Sequence, residues 1–265
     1  MIRIVYMFFM ILTLPVTLAE YFRKTTGKDY GISFFKKLIL MFKMIRSHNK
    51  ITTASKFLEH ITMVTNILKT PKSIEGCIVE CGCYKGGSTS ILSLAAGLCN
   101  RQLEIFDSFA GLPEPSEYDK MHISVGDRKT HTYAKGDFYG SLEEVKSNIS
   151  QYGNINVCNF NIGYFEDTLP KFDKKCVFVY VDVDLRDSLK PCLKYLWPLL
   201  QDKCNFFTHE APHMEIAFLF FDKEWWQSNI NANPPGLIGA GSGLGLLPRR
   251  GAFQSDIGFT VKNPY

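Results

Sequence analysis

The stretch from Gly76 to Thr89, Gly-Cys-Ile-Val-Glu-Cys-Gly-Cys-Tyr-Lys-Gly-Gly-Ser-Thr, restricts the fold more than any other part of the chain. An apolar run ends in a carboxylate, Glu80, turns through Gly82, Gly86 and Gly87, and passes at Ser88 or Thr89 into a helical pattern, Ser90 to Leu98. Strand, glycine turn and helix N-terminus in that order make a cradle for a nucleotide cofactor. Glycine lets a ligand approach the backbone, and the first N–H groups of the helix face it. A carboxylate closing the strand repels a phosphate but suits a cationic amino group or ribose hydroxyls. The pattern leans toward S-adenosylmethionine over NAD or ATP.

At 265 residues, 46% hydrophobic and 21% charged, the chain has the composition of a globular protein with one sizeable core. Its net charge of +4 is unevenly placed. Residues 1–50 hold nine Lys or Arg against only Glu20 and Asp29, a net of +7, so the other 215 residues sum to −3. The basic character belongs to the N-terminal extension and gives no reason to expect nucleic-acid binding by the main domain. Eight cysteines are too sparse for a disulfide scaffold. Cys81 and Cys83 have no second pair at zinc spacing, so the thiols read as reduced, in a cytoplasmic protein.

Ile4 to Leu14 is a continuous apolar run between Arg3 and Pro15. It is shorter than the roughly 20 residues that span a bilayer. A cleaved signal ending near Thr17-Leu18-Ala19, an interfacial membrane anchor, and a buried or oligomer-forming helix all remain open. Phe34 to Arg46 sets bulky apolar residues beside Lys36, Lys37, Lys43 and Arg46. That suits a helix on an anionic membrane surface, or equally a core helix with snorkelling lysines. Residues 1–50 are read as a helical extension in peripheral membrane contact, and 51–265 as the catalytic domain.

Along that domain, apolar residues recur at helical spacing from Ile51 to Leu68. Leu103 to Asp107 is a short strand ending in an acid, followed by a long polar connection from Ser108 to Gly140 of the length that usually carries function. Ser141-Leu142-Glu143-Glu144 is a capping box, with Glu144 reaching back, opening a helix to about Tyr152. Strands follow at Val157–Ile162, Cys176–Val183, Asn205–Thr208 and Ser255–Val261, with helices ending at Leu200 and spanning Met214–Trp226. Alternating strands and helices imply an α/β fold with a mostly parallel sheet and ligands at the carboxyl ends of its strands. Glu80, Asp107, Asp182, Asp184 and Glu210 all fall at such ends. Two features are set aside: Gly239 to Gly245 mimics a dinucleotide fingerprint but follows no strand, and Trp225-Trp226 suits a core or an interface.

Four segments then occur in order: Ile-Val-Glu-Cys-Gly-Cys-Tyr-Lys-Gly-Gly-Ser (78–88), Phe-Asp-Ser-Phe-Ala-Gly-Leu-Pro (106–113), Gly-Tyr-Phe-Glu-Asp-Thr-Leu-Pro (163–170) and Val-Asp-Val-Asp-Leu (181–185). Together they resemble the signatures of the macrocin O-methyltransferase family, which methylates sugar hydroxyls in macrolide antibiotics, over roughly residues 50–215. The resemblance implies the class I methyltransferase fold, a Rossmann-like sheet of seven strands with the last antiparallel and helices on both faces. It also implies S-adenosylmethionine as cofactor and a small hydroxylated acceptor, a sugar or glycan.

Carried onto this chain, the resemblance places Glu80, Gly82, Tyr84, Lys85, Gly86, Gly87 and Ser88 around the methionine end of the cofactor. Asp107 falls at the ribose with Ser108 beside it, and Gly163, Tyr164 and Phe165 border the adenine. The family's divalent cation, typically magnesium, would be held by Asp184, with Asp182 as second candidate and otherwise on the cofactor side, and by a pair that falls on His209-Glu210. One acid of that pair is here a histidine, and an imidazole favours manganese, iron or zinc over magnesium, or leaves a weaker site. The family's catalytic base corresponds to His131, with His122 in reserve.

Methyl transfer from a sulfonium needs alignment and removal of a proton from a weakly acidic hydroxyl. Asp184 and His131 are the catalytic candidates, and Asp184, His209 and Glu210 the metal candidates. Two other readings stay open: an NAD or nucleotide-sugar oxidoreductase, opposed by Glu80 in the turn, and a catalytically silent fold that binds cofactor or membrane. A homo-oligomer is compatible with either.

Overall fold

The strand β6 (Cys176–Val181) shows how the molecule is layered. Its residues point alternately to the two faces of the sheet, as the two-residue period of a strand requires. Phe178 and Tyr180 join one core, with Ile78, Ile91 and Phe207, while Val177, Val179 and Val181 join the other, with Leu189, Leu193 and Trp226. All six are buried, and full burial of side chains this size stabilises by about 1.5–3 kcal/mol each. A run apolar on both faces can only be an interior strand covered by helices on both sides.

In the computed structural model, residues 14–123, 130–238 and 256–264 are described. β1 (Cys77–Cys81), β2 (Leu103–Asp107), β5 (Cys158–Ile162), β6, β7 (Leu200–Thr208) and β8 (Gly258–Val261) form one sheet in the order β5-β2-β1-β6-β7-β8. The first five run parallel, and β8 is antiparallel to β7. Among the described residues the sheet thus has six strands, not the seven implied by the resemblance. Ile238 makes an antiparallel bridge to Phe259 on the outer side of β8, where a seventh strand would lie.

The described helices include α1 (Phe34–Lys50), α2 (Phe57–Lys69), α3 (Gly87–Leu98), α4 (Leu142–Tyr152), α5 (Phe165–Thr168), α6 (Arg186–Leu199), α7 (Met214–Leu219) and α8 (Lys223–Ile230), and residues 14–22 are helical as well. α1 packs on α3 and α4, and residues 14–50 add Tyr21, Leu40 and Met44 to the core on that face. No helix among the described residues is long and apolar enough to cross a membrane.

β7 opens at Leu200 rather than Asn205, the helix after the glycine turn at Gly87 rather than Ser90, and β6 ends at Val181 rather than Val183. Three further differences have a local reason. α2 begins at Phe57 rather than Ile51, because the Glu59 carboxylate reaches back to the Lys56 N–H at 2.6 Å and fixes the N-terminus there. The expected helix from Met214 to Trp226 is broken in two, since the Asp222 side chain accepts from the Trp225 N–H at 3.0 Å and starts a second helix. The 108–140 connection contains an antiparallel ribbon, β3 (Met121–Ile123) with β4 (Thr130–Thr132). The capping box is half formed: Ser141 accepts from the Glu144 N–H at 3.1 Å, while the Glu144 carboxylate meets Lys85 Nζ at 3.1 Å. All eight cysteines are free. Trp226 is fully buried and meets Trp197 edge-on, a core position. The Gly239–Gly245 segment lies outside the described residues.

Candidate active site

Alternation along β1 turns Glu80 toward the start of α3, on the same face as Ile78. There its Oε1 accepts from Ser88 Oγ at 2.6 Å, and the residue is fully buried. Burial raises its carboxyl pKa to about 8, with the Ser88 hydrogen bond opposing the shift. At neutral pH Glu80 is therefore mostly protonated, a wedge beneath the turn. The turn glycines answer to protein atoms. Gly82 has φ +82°, and an added Cβ would meet the Asp182 carbonyl oxygen at 1.8 Å. Gly86 has the same φ and faces Val145.

Asp107 ends β2 and locks that strand to the turn: Oδ2 accepts from the Cys83 N–H and Oδ1 from the Phe109 N–H, both at 2.7 Å. Burial raises its pKa against those two bonds. Ser108 Oγ donates to the Gly111 carbonyl at 2.8 Å, and the Gly163 N–H donates to the Asp107 carbonyl at 3.0 Å. Lys85 points away to Glu144.

The ends of β6 and β7 carry the charged cluster. Asp182 accepts from Tyr180 Oη at 3.0 Å and faces His209 Nδ1 at 3.3 Å. The other ring nitrogen, Nε2, lies 3.5 Å from Glu59 Oε2, an ion-pair separation longer than a hydrogen bond. Burial opposes protonation of His209, but the two carboxylates outweigh it and raise its pKa well above the usual value. Burial likewise works against ionised Glu59, and His209 together with Lys56 holds it down to about 2. Glu210 accepts from the Val183 and Asp184 N–H groups at 2.7 and 3.0 Å and from Thr208 Oγ1 at 2.9 Å, pinning the loop after β6. In that loop Asp184 takes φ +59°, sparsely populated for an aspartate. Burial, then Asp182 and Glu210, push its pKa well up, and the Tyr133 hydroxyl bonds to it.

A cavity of about 340 Å³, within the size range of small-molecule sites, joins these parts. Of the residues singled out in the sequence, Gly82, Tyr84, Gly87, Ser88, Asp107, Ser108, Tyr164, Phe165, Asp182, Asp184, His209 and Glu210 line it. Glu80, Lys85, Gly86 and Gly163 do not. Asp182, His209 and Glu210 bring ligand-capable atoms within 4.8 Å of one another, and Asp184 stands outside that grouping. His131 pairs with His122 across the ribbon, but the side chains of both lie outside the described ones. The cavity wall also includes Thr52, Thr53, Tyr133, His213 and Asp256. Sequence reading missed these because Thr52 and Thr53 fall at the start of a stretch read as helix and Asp256 in one read as strand, while Tyr133 and His213 sit in irregular connections. Glu59 was missed as one acid inside an ordinary amphipathic helix.

A parallel Rossmann-like sheet with an antiparallel last strand, and a cavity running from a glycine turn to an acidic rim, have the form of the class I methyltransferase fold that the sequence motifs imply. The family model described as Macrocin-O-methyltransferase (TylF) matches residues 49–204, more than half of the chain. The chain belongs to that family. Its fold is similar to that of the O-methyltransferase NovP, with 19% identity and a TM-score of 0.58 over 79% of this chain and 83% of that one. It is also similar to CalS11, a calicheamicin methyltransferase, with 15% identity and a TM-score of 0.56 over 85% and 92%. No curated protein sequence matches the chain significantly.

Proposed function

We propose that the cavity holds S-adenosylmethionine across the glycine turn and offers its methyl group to a hydroxyl of a sugar or similar small acceptor. The acceptor would lie on the side formed by Tyr133, Asp184 and His213. The observation that carries this reading is the single cavity bordered at once by Gly82, Ser88 and Asp107 and by Asp184. Asp107, its carboxylate fixed by two backbone N–H groups, keeps lone pairs for the ribose hydroxyls. Tyr164 and Phe165 border the adenine. Glu80 acts on the methionine end through Ser88, as a positioning residue.

Asp184 is the proposed base. Its raised pKa makes it a better proton acceptor than an ordinary carboxylate, and a bound sulfonium would favour its ionised form. The acceptor oxygen bonds to the methyl carbon as the carbon–sulfur bond breaks, the sulfur keeps that electron pair, and Asp184 takes the hydroxyl proton. His131 is the second candidate for the proton. Asp182, His209 and Glu210 lie at the spacing of a divalent cation site. A cation bound there would displace the proton that Asp182 and Glu59 favour on His209, whose nitrogen would then favour manganese, iron or zinc over magnesium. When bound, such a cation would lower the pKa of a hydroxyl touching it. Residues 51–265 form the catalytic unit in this reading, and residues 1–50 make peripheral membrane contact.

The test is to incubate the protein with methyl-labelled cofactor and cellular sugar and lipid fractions, and to titrate it with S-adenosylmethionine and with NAD. Label in a hydroxyl-bearing product and binding of S-adenosylmethionine are expected. Binding of NAD alone would overturn the proposal, and cofactor binding without transfer to any fraction would favour a catalytically silent member.

A further inference from the structure

α1 is turned inside out relative to its sequence. Its inner face, on α3 and α4, buries a lysine: Lys37 is 2% exposed and donates from Nζ to the Arg23 carbonyl at 2.6 Å. Its outer face leaves Phe35 74%, Phe42 69% and Ile39 56% exposed, with Phe34 and Ile45 beside them. At about 100° per residue these five span an arc of about 140° opposite Leu40 and Met44, with buried Met41 at its flank. Along one edge of the arc run Lys36, Lys43 and Lys50, seven residues apart and exposed, and Arg46 interrupts it one turn beyond Phe42. The helix contains no acidic residue. An apolar stripe with a cationic border is the pattern of a helix lying in the plane of an anionic bilayer.

We propose that the outer face of α1 is the membrane-docking surface, with Phe35, Ile39 and Phe42 inserted among acyl chains and Lys36, Lys43 and Lys50 at anionic headgroups. This deepens the membrane contact proposed above and is independent of the chemistry in the cavity. Charge selects the bilayer over a second copy of the chain: a symmetric pairing through this face would oppose two extensions that each carry a net +7. Leu14 and Val16 are exposed as well.

The test is sedimentation of the full chain with phosphatidylcholine vesicles, with and without roughly 30% phosphatidylserine. Binding should be stronger to the anionic vesicles and weaken with salt. Phe35→Ser with Phe42→Ser should lower it about 100-fold. Lys36→Gln, Lys43→Gln and Lys50→Gln together should remove the preference for phosphatidylserine. None of these side chains lines the cavity, so calorimetric affinity for S-adenosylmethionine should be unchanged, which also shows that the variants fold. Wild-type binding by both variants would overturn the assignment to α1 while leaving membrane contact to residues 1–13. Absence of binding by the wild-type chain would overturn both. A dimer in analytical ultracentrifugation that dissociates in the phenylalanine variant would give the face to self-association instead.

Discussion

The carbonyl oxygen of Asp182 stands 1.8 Å from the point where a Cβ on Gly82 would begin. The ends of β1 and β6 thus meet at a place with no room for a side chain, and the cofactor turn is held against the acidic rim by backbone contact. Gly82→Ala combines this clash with a positive φ and should cost about 3 kcal/mol or more. Urea denaturation should show the lowered midpoint, and calorimetry a loss of cofactor affinity. A variant with wild-type values in both would mean that the strand ends can part.

Glu80 makes stability depend on pH. Its carboxyl pKa is raised to about 8 in the fold, so the protonated form is the one the fold favours. The associated stability is fully present below the unfolded value near 4.5 and is lost as pH rises through 8, at about 1.4 kcal/mol per unit. Glu80→Gln keeps an acceptor oxygen for Ser88 without the titration. Its melting temperature should overtake that of the wild type with rising pH between 5 and 8. Parallel curves would show Glu80 already ionised at neutrality.

Asp119 is fully buried in the long connection, where it caps α6, accepting from the Arg186 N–H at 2.8 Å and the Asp187 N–H at 2.9 Å. Asp119→Ala leaves both donors orphaned and should cost about 2 kcal/mol. Because Asp184 lies just ahead of that helix, kcat should fall more than KM rises, and Asp119→Asn should recover part of the loss. A purely thermal effect with unchanged kcat would separate the cap from the base.

Chelation tests the mixed donor set. Activity should fall on removal of divalent metal, and manganese should restore it at lower concentration than magnesium, because His209 supplies a nitrogen. Glu210→Ala should weaken manganese binding measured directly by calorimetry. Activity indifferent to both chelator and the substitution would remove the cation from the mechanism.

The β1 and β2 strands and the turn between them were legible because apolar runs, glycines and terminal acids coincide within a few residues. β6 was legible by its length and apolarity. The cluster at its end was legible only in part. His209 and Glu210 stand out as polar residues after a strand, but Glu59 is brought to His209 from 150 residues away by the packing of α2 on the sheet. The β3–β4 ribbon escaped notice because three-residue strands show too little alternation to detect. α1 was the hardest case. Its composition fits a buried or a surface helix equally, and the burial of Lys37 with Leu40, Met41 and Met44 shows which face is inside.

Asp256 ties the last strand to the start of α2: its N–H donates to Glu59 at 2.6 Å, and its carboxylate holds Lys56 Nζ at 2.7 Å. With Glu210, Pro212 and His213, it lies beyond the 49–204 stretch that matches the family, yet all four line the cavity. In the proposed reading, the turn that would hold the cofactor lies inside the family stretch, while part of the wall beside Asp184, with His209 and Glu210, lies outside it. Exchanging the segment after residue 204 between relatives would therefore exchange part of the cavity wall and the His209–Glu210 pair together, and would read out whether that segment sets which hydroxyl is methylated.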